Sequence, residues 1–380
     1  MKIKILYGLE AVGGGALKHL AYLVSHLDGE WFDLTVILSS NRSENANVDI
    51  EKIKNSGARL FYYPLNRNFN ISKDFFSILK LVPILKKEKF DIIHAHSSKA
   101  GGVFRVAAFF AGNKNVLYTP HCFYFQGLSG IKRKVYVVIE KLLAKITSYL
   151  IVSEGELKET IKNRIIAKKQ IQNINNAIDF NEYVQNLQIE EILSEYDIPA
   201  QKFIVGAIGR LTAQKDWETF IFASKEVLRN YPETIFIITG EGELRNQIEK
   251  LIFTLGLEKN VVLTGYVKDI YKIFSILDVF VNTSLWEGLP YVLLEAMKFK
   301  KPIIATDTGN ESIILHEKSG FITPVKDYKA IAQKICELIK DKQKTILMGK
   351  EGNEILTRKY SFELFIKKHQ QLYKNLVYKN

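Results

Sequence analysis

Short apolar strands alternate with amphipathic helices along most of the chain, the pattern of parallel sheets covered on both faces. KIKILYG (residues 2–8) reads as a strand, a glycine-rich loop follows, and ALKHLAYLVSHL (16–27) has helical spacing. FDLTVILS, RLFYYPL, FDIIHAH and NVLYTPH continue as strands, with helical segments between several of them. After Asn176 the pattern restarts with FIVGAIGR as a strand, DWETFIFASKEVLRNYP as a helix, TIFIITGEG as a strand and LRNQIEKLIFTLGL as a helix. NVVLTGY, VFVNTS and KPIIATDT supply further strands, and SFELFIKKHQQLYKNLVYKN (361–380) reads as a terminal helix. These elements predict an α/β protein with two Rossmann-like domains facing a cleft, where open sheets bind ligands at the carboxyl ends of their strands.

Length supports two domains, since 380 residues exceed what one ordinary core accommodates. The asparagine-rich stretch NINNAIDFNEY (173–183) is the expected link, dividing residues 1–175 from 176–361. The charge balance changes at the same place. Residues 1–175 carry 26 Lys and Arg against 14 Asp and Glu, and residues 176–380 carry 27 against 27. The whole net charge of +12 therefore lies in the first half, which can attract nucleic acid, anionic lipid or a phosphorylated substrate. No run of eighteen apolar residues predicts a membrane-spanning helix, and the start lacks the small-residue cleavage site of a signal peptide. Only Cys122 and Cys336 are present, without metal-ligand spacing, which fits a reducing cytosol.

Two segments of the second half carry candidate chemistry. In GAIGRLTAQKDWE, Arg210 and Lys215 follow a strand on the loop leading to the next helix, a place from which cations can grip a diphosphate. In WEGLPYVLLEA (286–296), seven residues separate Glu287 from Glu295. Pro290 suits the first turn of a helix running to about Phe299, whose open N–H groups around Gly288, Leu289, Pro290 and Tyr291 form an anion site. Glu295 then lies on the order of 7–8 Å along the axis from Pro290. That exceeds the roughly 5 Å between the carboxylates of a retaining glycosidase, so the pair reads as two ends of a ligand clamp. Stabilisation of the helix dipole would account for Glu287 alone but not for Glu295 one turn deeper.

GRLTAQKD resembles the Gly-Arg-Leu…Lys segment of retaining glycosyltransferases with the GT-B fold, and EGLPYVLLEAM resembles their paired-glutamate motif. GEGELR (240–245) is similar to the Gly-x-Gly-x-x-Arg turn of that family, and NINNAID to its interdomain segment. With four motifs in order over nearly the full length, the chain looks like glycosyltransferase family four, most similar to enzymes of bacterial capsule, O-antigen or other exopolysaccharide synthesis. The resemblance implies an acceptor-binding domain (1–175), a nucleotide-sugar-binding domain (176–361) and a C-terminal helix (362–380) returning to the first. It assigns Arg210 and Lys215 to the leaving diphosphate, Glu295 to the ribose and Glu287 to the transferred sugar, with the amides from Gly288 to Tyr291 near the diphosphate. Gly240 falls in the glycine-rich turn, and Gly265, Tyr266 and Val267 lie where the family holds the base. Gly13, Gly14 and Gly15 match the glycine loop near the donor phosphates, and His121 matches a histidine beside the reacting sugar, although Cys122 stands where the family commonly has glycine. His94 and Lys99 are candidate acceptor contacts.

The implied activity is retaining transfer of a hexose or N-acetylhexosamine from a nucleotide-diphosphate sugar, a UDP-sugar foremost, to a glycan or lipid-linked acceptor. No Asp-x-Asp pair occurs, so no metal and no cofactor are expected, with charge stabilisation falling to Arg210, Lys215 and a helix N-terminus. His94 and His96 share one side of a strand end, but their spacing shows no further metal ligand. In IKRKVYVVIEKLLAKITSYL, Ile131, Val135, Leu142, Ile146 and Tyr149 fall on one helical arc beside a stripe of Lys134, Lys141 and Lys145. That stripe is either the solvated edge of a packed helix or a dock for an anionic membrane, the second placing the protein in the cytoplasm at the inner face of the plasma membrane. A nucleotide-sugar 2-epimerase of the same fold and a basic nucleic-acid-binding protein are the competing expectations; no RNA-binding motif is visible.

Overall fold

The computed structural model describes residues 1–40, 47–65, 70–180, 187–309 and 313–378. The end of the expected link, residues 181–183, and the last two residues of the expected terminal helix lie outside them. The chain divides into two compact units, Met1–Asn176 with Glu363–Asn380, and Ala177–Phe362.

The first unit is built on seven strands: β1 (Ile3–Leu9), β2 (Phe32–Ser39), β3 (Arg59–Tyr63), β4 (Ile92–His96), β5 (Val116–Thr119), β6 (Tyr149–Val152) and β7 (Ile171–Asn173). They pair in parallel in the order β3-β2-β1-β4-β5-β6-β7. β1 and β4 are buried along nearly their whole length because both faces of a parallel sheet are covered. The strand order reverses between them, with Tyr7 opposite His94 and Leu9 opposite His96. Right-handed crossovers therefore put helix Gly14–His26 on one face and helices Ile71–Glu88, Ser98–Ala111 and Gly130–Ala144 on the other.

The second unit repeats the plan with β8 (Ile204–Ile208), β9 (Ile235–Thr239), β10 (Val261–Gly265), β11 (Val279–Asn282), β12 (Ile303–Thr306) and β13 (Gly320–Thr323), ordered β10-β9-β8-β11-β12-β13 and all parallel. Its reversal falls between β8 and β11, so the loops after those two strands leave from the switch point where such sheets bind ligands. Apolar layers cover both faces; Ile208, Ile237 and Phe280 belong to one, and Val205, Phe236 and Val281 to the other. Each fully buried side chain of this kind contributes about 1.5–3 kcal/mol.

Two local expectations are corrected. The helix that begins at Gly130 stops at Ala144 rather than continuing to Leu150, because Ser148 N–H bonds Val116 O at 2.7 Å and Tyr149 opens β6. Strand pairing overrides the helical periodicity there. β6, β7 and β13 are also strands that the apolar pattern alone did not mark.

The terminal helix, Phe362–Tyr378, belongs to the first unit. Phe365, His369 and Tyr373 recur every four residues, so they line one side of the helix, and all three are buried. Tyr373 Oη reaches His94 Nδ1 at 2.9 Å and accepts from Tyr7 Oη at 3.2 Å.

Candidate functional site

In the second unit the loop after β8 carries Arg210 and Lys215, and the loop after β11 carries Glu287. Bonds between the two loops set their register. Leu285 N–H donates to Gln214 O at 2.8 Å, Gln214 Nε2 to Trp286 O at 2.9 Å, and Thr283 Oγ1 to Lys215 O at 2.7 Å. Lys215 Nζ then meets Glu287 Oε1 at 2.7 Å, and Ser284 Oγ donates to the same oxygen at 2.8 Å. Glu287 is 7% exposed, and a carboxylate so placed requires such partners to offset its desolvation. Arg210 is exposed, while its backbone is held by Trp217 Nε1 donating to its carbonyl at 3.1 Å.

Helix Tyr291–Lys298 follows directly. Pro290 is its N-cap and supplies no side-chain hydrogen bond. Gly288, Leu289 and Tyr291 are buried around that turn, and Glu295 is 1% exposed within the helix. The expected helix and the placement of both glutamates relative to it are therefore found.

The glycine-rich turn after β9 packs against the Arg210 loop. Leu211 N–H bonds Glu241 O at 2.9 Å, and Gly240 N–H bonds Gly265 O at 2.8 Å at the end of β10. Gly240 has φ +140°, and a Cβ there would lie 1.9 Å from the Gly209 carbonyl oxygen. Only glycine allows this approach. Arg245 pairs with Glu241 and with Glu249 instead of pointing an uncommitted charge outward. Tyr266 is exposed and Val267 buried next to Gly265. Gln214, Thr283 and Ser284, which hold the two loops together, were missed by motif reading; the polar run NTS just before Glu287 was the available signal.

In the first unit, Gly13 caps helix Gly14–His26, with Gly13 and Gly14 at φ 141° and 66°. Gly14 and Gly15 are exposed, and a Cβ at Gly14 would meet nothing within 4 Å, so the loop presents open backbone. His121 follows β5 at φ 50°, and Cys122 at φ 84°, two successive side chains in the left-handed region. His121 Nε2 lies 2.9 Å from His96 Nδ1, with the rings stacked.

Both expected acceptor contacts are corrected. His94 is fully buried, with Nδ1 bonded to Tyr373 and Nε2 2.8 Å from Thr119 Oγ1, so neither ring nitrogen is available to a ligand. Lys99 is 2% exposed and its ammonium is paired with Asp74. Helix packing draws both inward: Ile71–Glu88, which carries Asp74, lies against Ser98–Ala111, which carries Lys99.

The histidines of this unit gather more closely than their spacing in sequence shows. His19 joins His96 and His121, and one ring nitrogen from each lies within 4.8 Å of the others. Burial keeps these rings neutral. It lowers His19 to about 4 and His369 to about 3, and holds His94, His96 and His121 well below the ordinary imidazole value.

Residues 13–182 match the model of Glycosyltransferase Family 4, and residues 188–354 that of Glycosyl transferases group 1. The UDP-Gal:alpha-D-GlcNAc-diphosphoundecaprenol alpha-1,3-galactosyltransferase of Escherichia coli is 33% identical over 341 residues, covering 87% of this chain and 86% of its own. The capsular polysaccharide biosynthesis glycosyltransferase CapM of Staphylococcus aureus is 26% identical over 347 residues, with 87% and 91% covered. HepE of Anabaena, solved in complex with UDP, superimposes with a TM-score of 0.81 at 21% identity, covering 97% of this chain and 99% of that one.

Proposed function

Because the chain belongs to the GT-B glycosyltransferases of group 1 and family four, we propose that it is a retaining transferase in bacterial surface polysaccharide synthesis. It moves a hexose or N-acetylhexosamine from a UDP-sugar to a lipid-linked or oligosaccharide acceptor. The reading is supported by a relative named for a UDP-Gal donor and a diphosphoundecaprenol-linked acceptor, and by a fold neighbour that holds UDP.

The observation that carries it is the Lys215–Glu287 pair at the start of helix Tyr291–Lys298. A diphosphate entering there competes with Glu287 for the Lys215 ammonium, and Arg210 adds a second cation. Glu287 then turns to hydroxyls of the transferred sugar, Glu295 meets the ribose, and backbone groups from Gly265 to Val267 meet the base. In the first unit, His121 is the polar group assigned to the sugar side of the reaction. As the bond from the anomeric carbon to the diphosphate breaks, negative charge grows on the leaving oxygen where Arg210 and Lys215 stabilise it. The acceptor oxygen bonds the anomeric carbon from the same face, and its proton passes to the departing phosphate oxygen. Two cations and helix amides supply the charge stabilisation that a divalent ion supplies elsewhere, so transfer is metal-independent.

The test supplies UDP-galactose, UDP-glucose and their N-acetylated counterparts with a polyprenyl-diphosphate-linked N-acetylglucosamine, and reads the anomeric configuration of the product by NMR. An α-linked product is expected, undiminished in chelator, with Lys215→Ala lowering kcat about 100-fold. A β-linked product, or a donor epimerised without transfer, overturns the reading. Near-normal turnover by Lys215→Ala removes that residue from it.

We place the acceptor side at an anionic membrane surface. The apolar arc of helix Gly130–Ala144 is not core: Ile131 is 80% exposed, and Val135, Val138 and Leu142 are also exposed. Phe75, Phe76 and Leu79 of helix Ile71–Glu88 are exposed on the same face of the sheet, as are Phe109 and Phe110. Lysines flank them, and no described helix is long and apolar enough to cross a membrane. Flotation with anionic liposomes at low salt, weakened by Ile131→Ser with Val138→Ser, is expected; failure to float sinks the assignment.

A further inference from the structure

Five of the seven histidines, His19, His94, His96, His121 and His369, lie with their rings in mutual contact in the first unit. Their hydrogen bonds fix where the protons are. His19 Nδ1 faces Asn176 Oδ1 at 2.8 Å and His369 Nδ1 faces Phe365 O at 2.9 Å. Both partners only accept, so each ring carries its proton on Nδ1 and leaves Nε2 as a bare lone pair. Neither Nε2 has a partner among the described residues, and His96 Nε2 has none either. A buried N–H without an acceptor costs more than a bare lone pair, so His96 donates through Nδ1 to His121 Nε2. Among the described residues, the Nε2 lone pairs of His19, His96 and His369 thus lie in one interior with no N–H or O–H directed at them.

We propose that His19, His96 and His121 form a binding site for a zinc-class divalent ion, an ion that prefers imidazole nitrogen. Three neutral imidazoles leaving a fourth position open make a familiar donor set for zinc. Magnesium and calcium seek oxygen ligands, which this set does not offer. Nitrogens around tetrahedral zinc stand about 3.3 Å apart for bonds of about 2.0–2.1 Å, so the present spacing within 4.8 Å closes by rotation of the rings. His121 contributes the lone pair that otherwise accepts from His96. It is the half-buried member of the three, the other two being buried.

The surroundings fit a cation. His19 Nδ1–H is oriented by Asn176, the outer-shell bond expected of a metal-bound histidine. Glu156, buried, accepts from the Cys122 N–H next to His121.

The site is distinct from the metal-independent chemistry at Lys215 and Arg210. An ion here occupies the nitrogen that His121 would turn toward a sugar, so loading inhibits transfer and a chelator restores it. The deciding measurement needs no turnover. Full-length protein is stripped with chelator, dialysed against excess Zn2+ or Co2+, passed through a desalting column and assayed for metal per chain. One ion per chain is expected, with the intense visible absorption of tetrahedral Co2+. His96→Gln and the more accessible His121→Asn should each lower retention at least 10-fold. His26→Gln and His316→Gln, at exposed histidines, should retain it. Wild-type protein that keeps no ion, or keeps it equally in His121→Asn, leaves the lone pairs to buried water and overturns the proposal. A protein that binds the ion yet transfers no sugar overturns only the functional reading.

Discussion

The two units share one plan, a parallel sheet with its strand order reversed near the middle, yet they place their polar groups oppositely. The second unit carries a slight acidic excess, 23 Lys and Arg against 26 Asp and Glu, and pairs Lys215 with Glu287 in loops at the switch point that backbone bonds stitch together. The first unit carries all the excess positive charge, keeps a group of neutral histidines inside, and shows apolar side chains on its outer helices. An ion pair that stays near a ligand surface can be exchanged for a ligand's charge. A buried neutral cluster instead makes the fold depend on protonation.

Acid should separate the stabilities of the two units most strongly. Each clustered histidine binds a proton less readily folded than unfolded, so the unfolded chain takes up more protons as pH falls. The stability they contribute is whole above about pH 6.5 and is lost as pH falls toward the folded values, about 4 for His19 and about 3 for His369. The slope is about 1.4 kcal/mol per pH unit for each histidine. Thermal melts between pH 7 and 5 should show the first unit melting earlier while the second moves little; a single transition of unchanged Tm would refute this.

Gly240→Ala tests the opposite unit. Its Cβ would collide with the Gly209 carbonyl at a positive φ, and the expected loss is roughly 3 kcal/mol, read by urea unfolding with fluorescence of Trp217 and Trp286. The smallest effect concerns Cys122, at φ 84° directly after His121 at φ 50°. Cys122→Gly should relieve backbone strain and stabilise the first unit by about 1 kcal/mol. If stability drops instead, the thiol's contacts, which include Gln126 Oε1 at 3.4 Å, outweigh the strain.

Much of the second unit was legible beforehand because its site is assembled from short local runs. GRLTAQK and EGLPYVLLEA each carry their own turn chemistry, strand end and helix start, and the helix begins at Tyr291 as Pro290 indicated. The first unit was less legible. His94 and Lys99 looked like ligand contacts because a strand end and a helix start usually face solvent. Tyr373, 279 residues beyond His94, and Asp74 on a neighbouring helix enclosed them.

The sequence by itself determined the alternation of strands and helices, the two-part division, the glycine positions and the pairing of glutamates with a helix N-terminus. Those follow from periodicity and backbone sterics, which act over a few residues. Only the tertiary structure decided that Lys215 neutralises Glu287, that the terminal helix closes over β1 and β4, and that His19, His96 and His121 meet. Such contacts join residues tens to hundreds of positions apart, and their energies depend on burial, which no local pattern specifies.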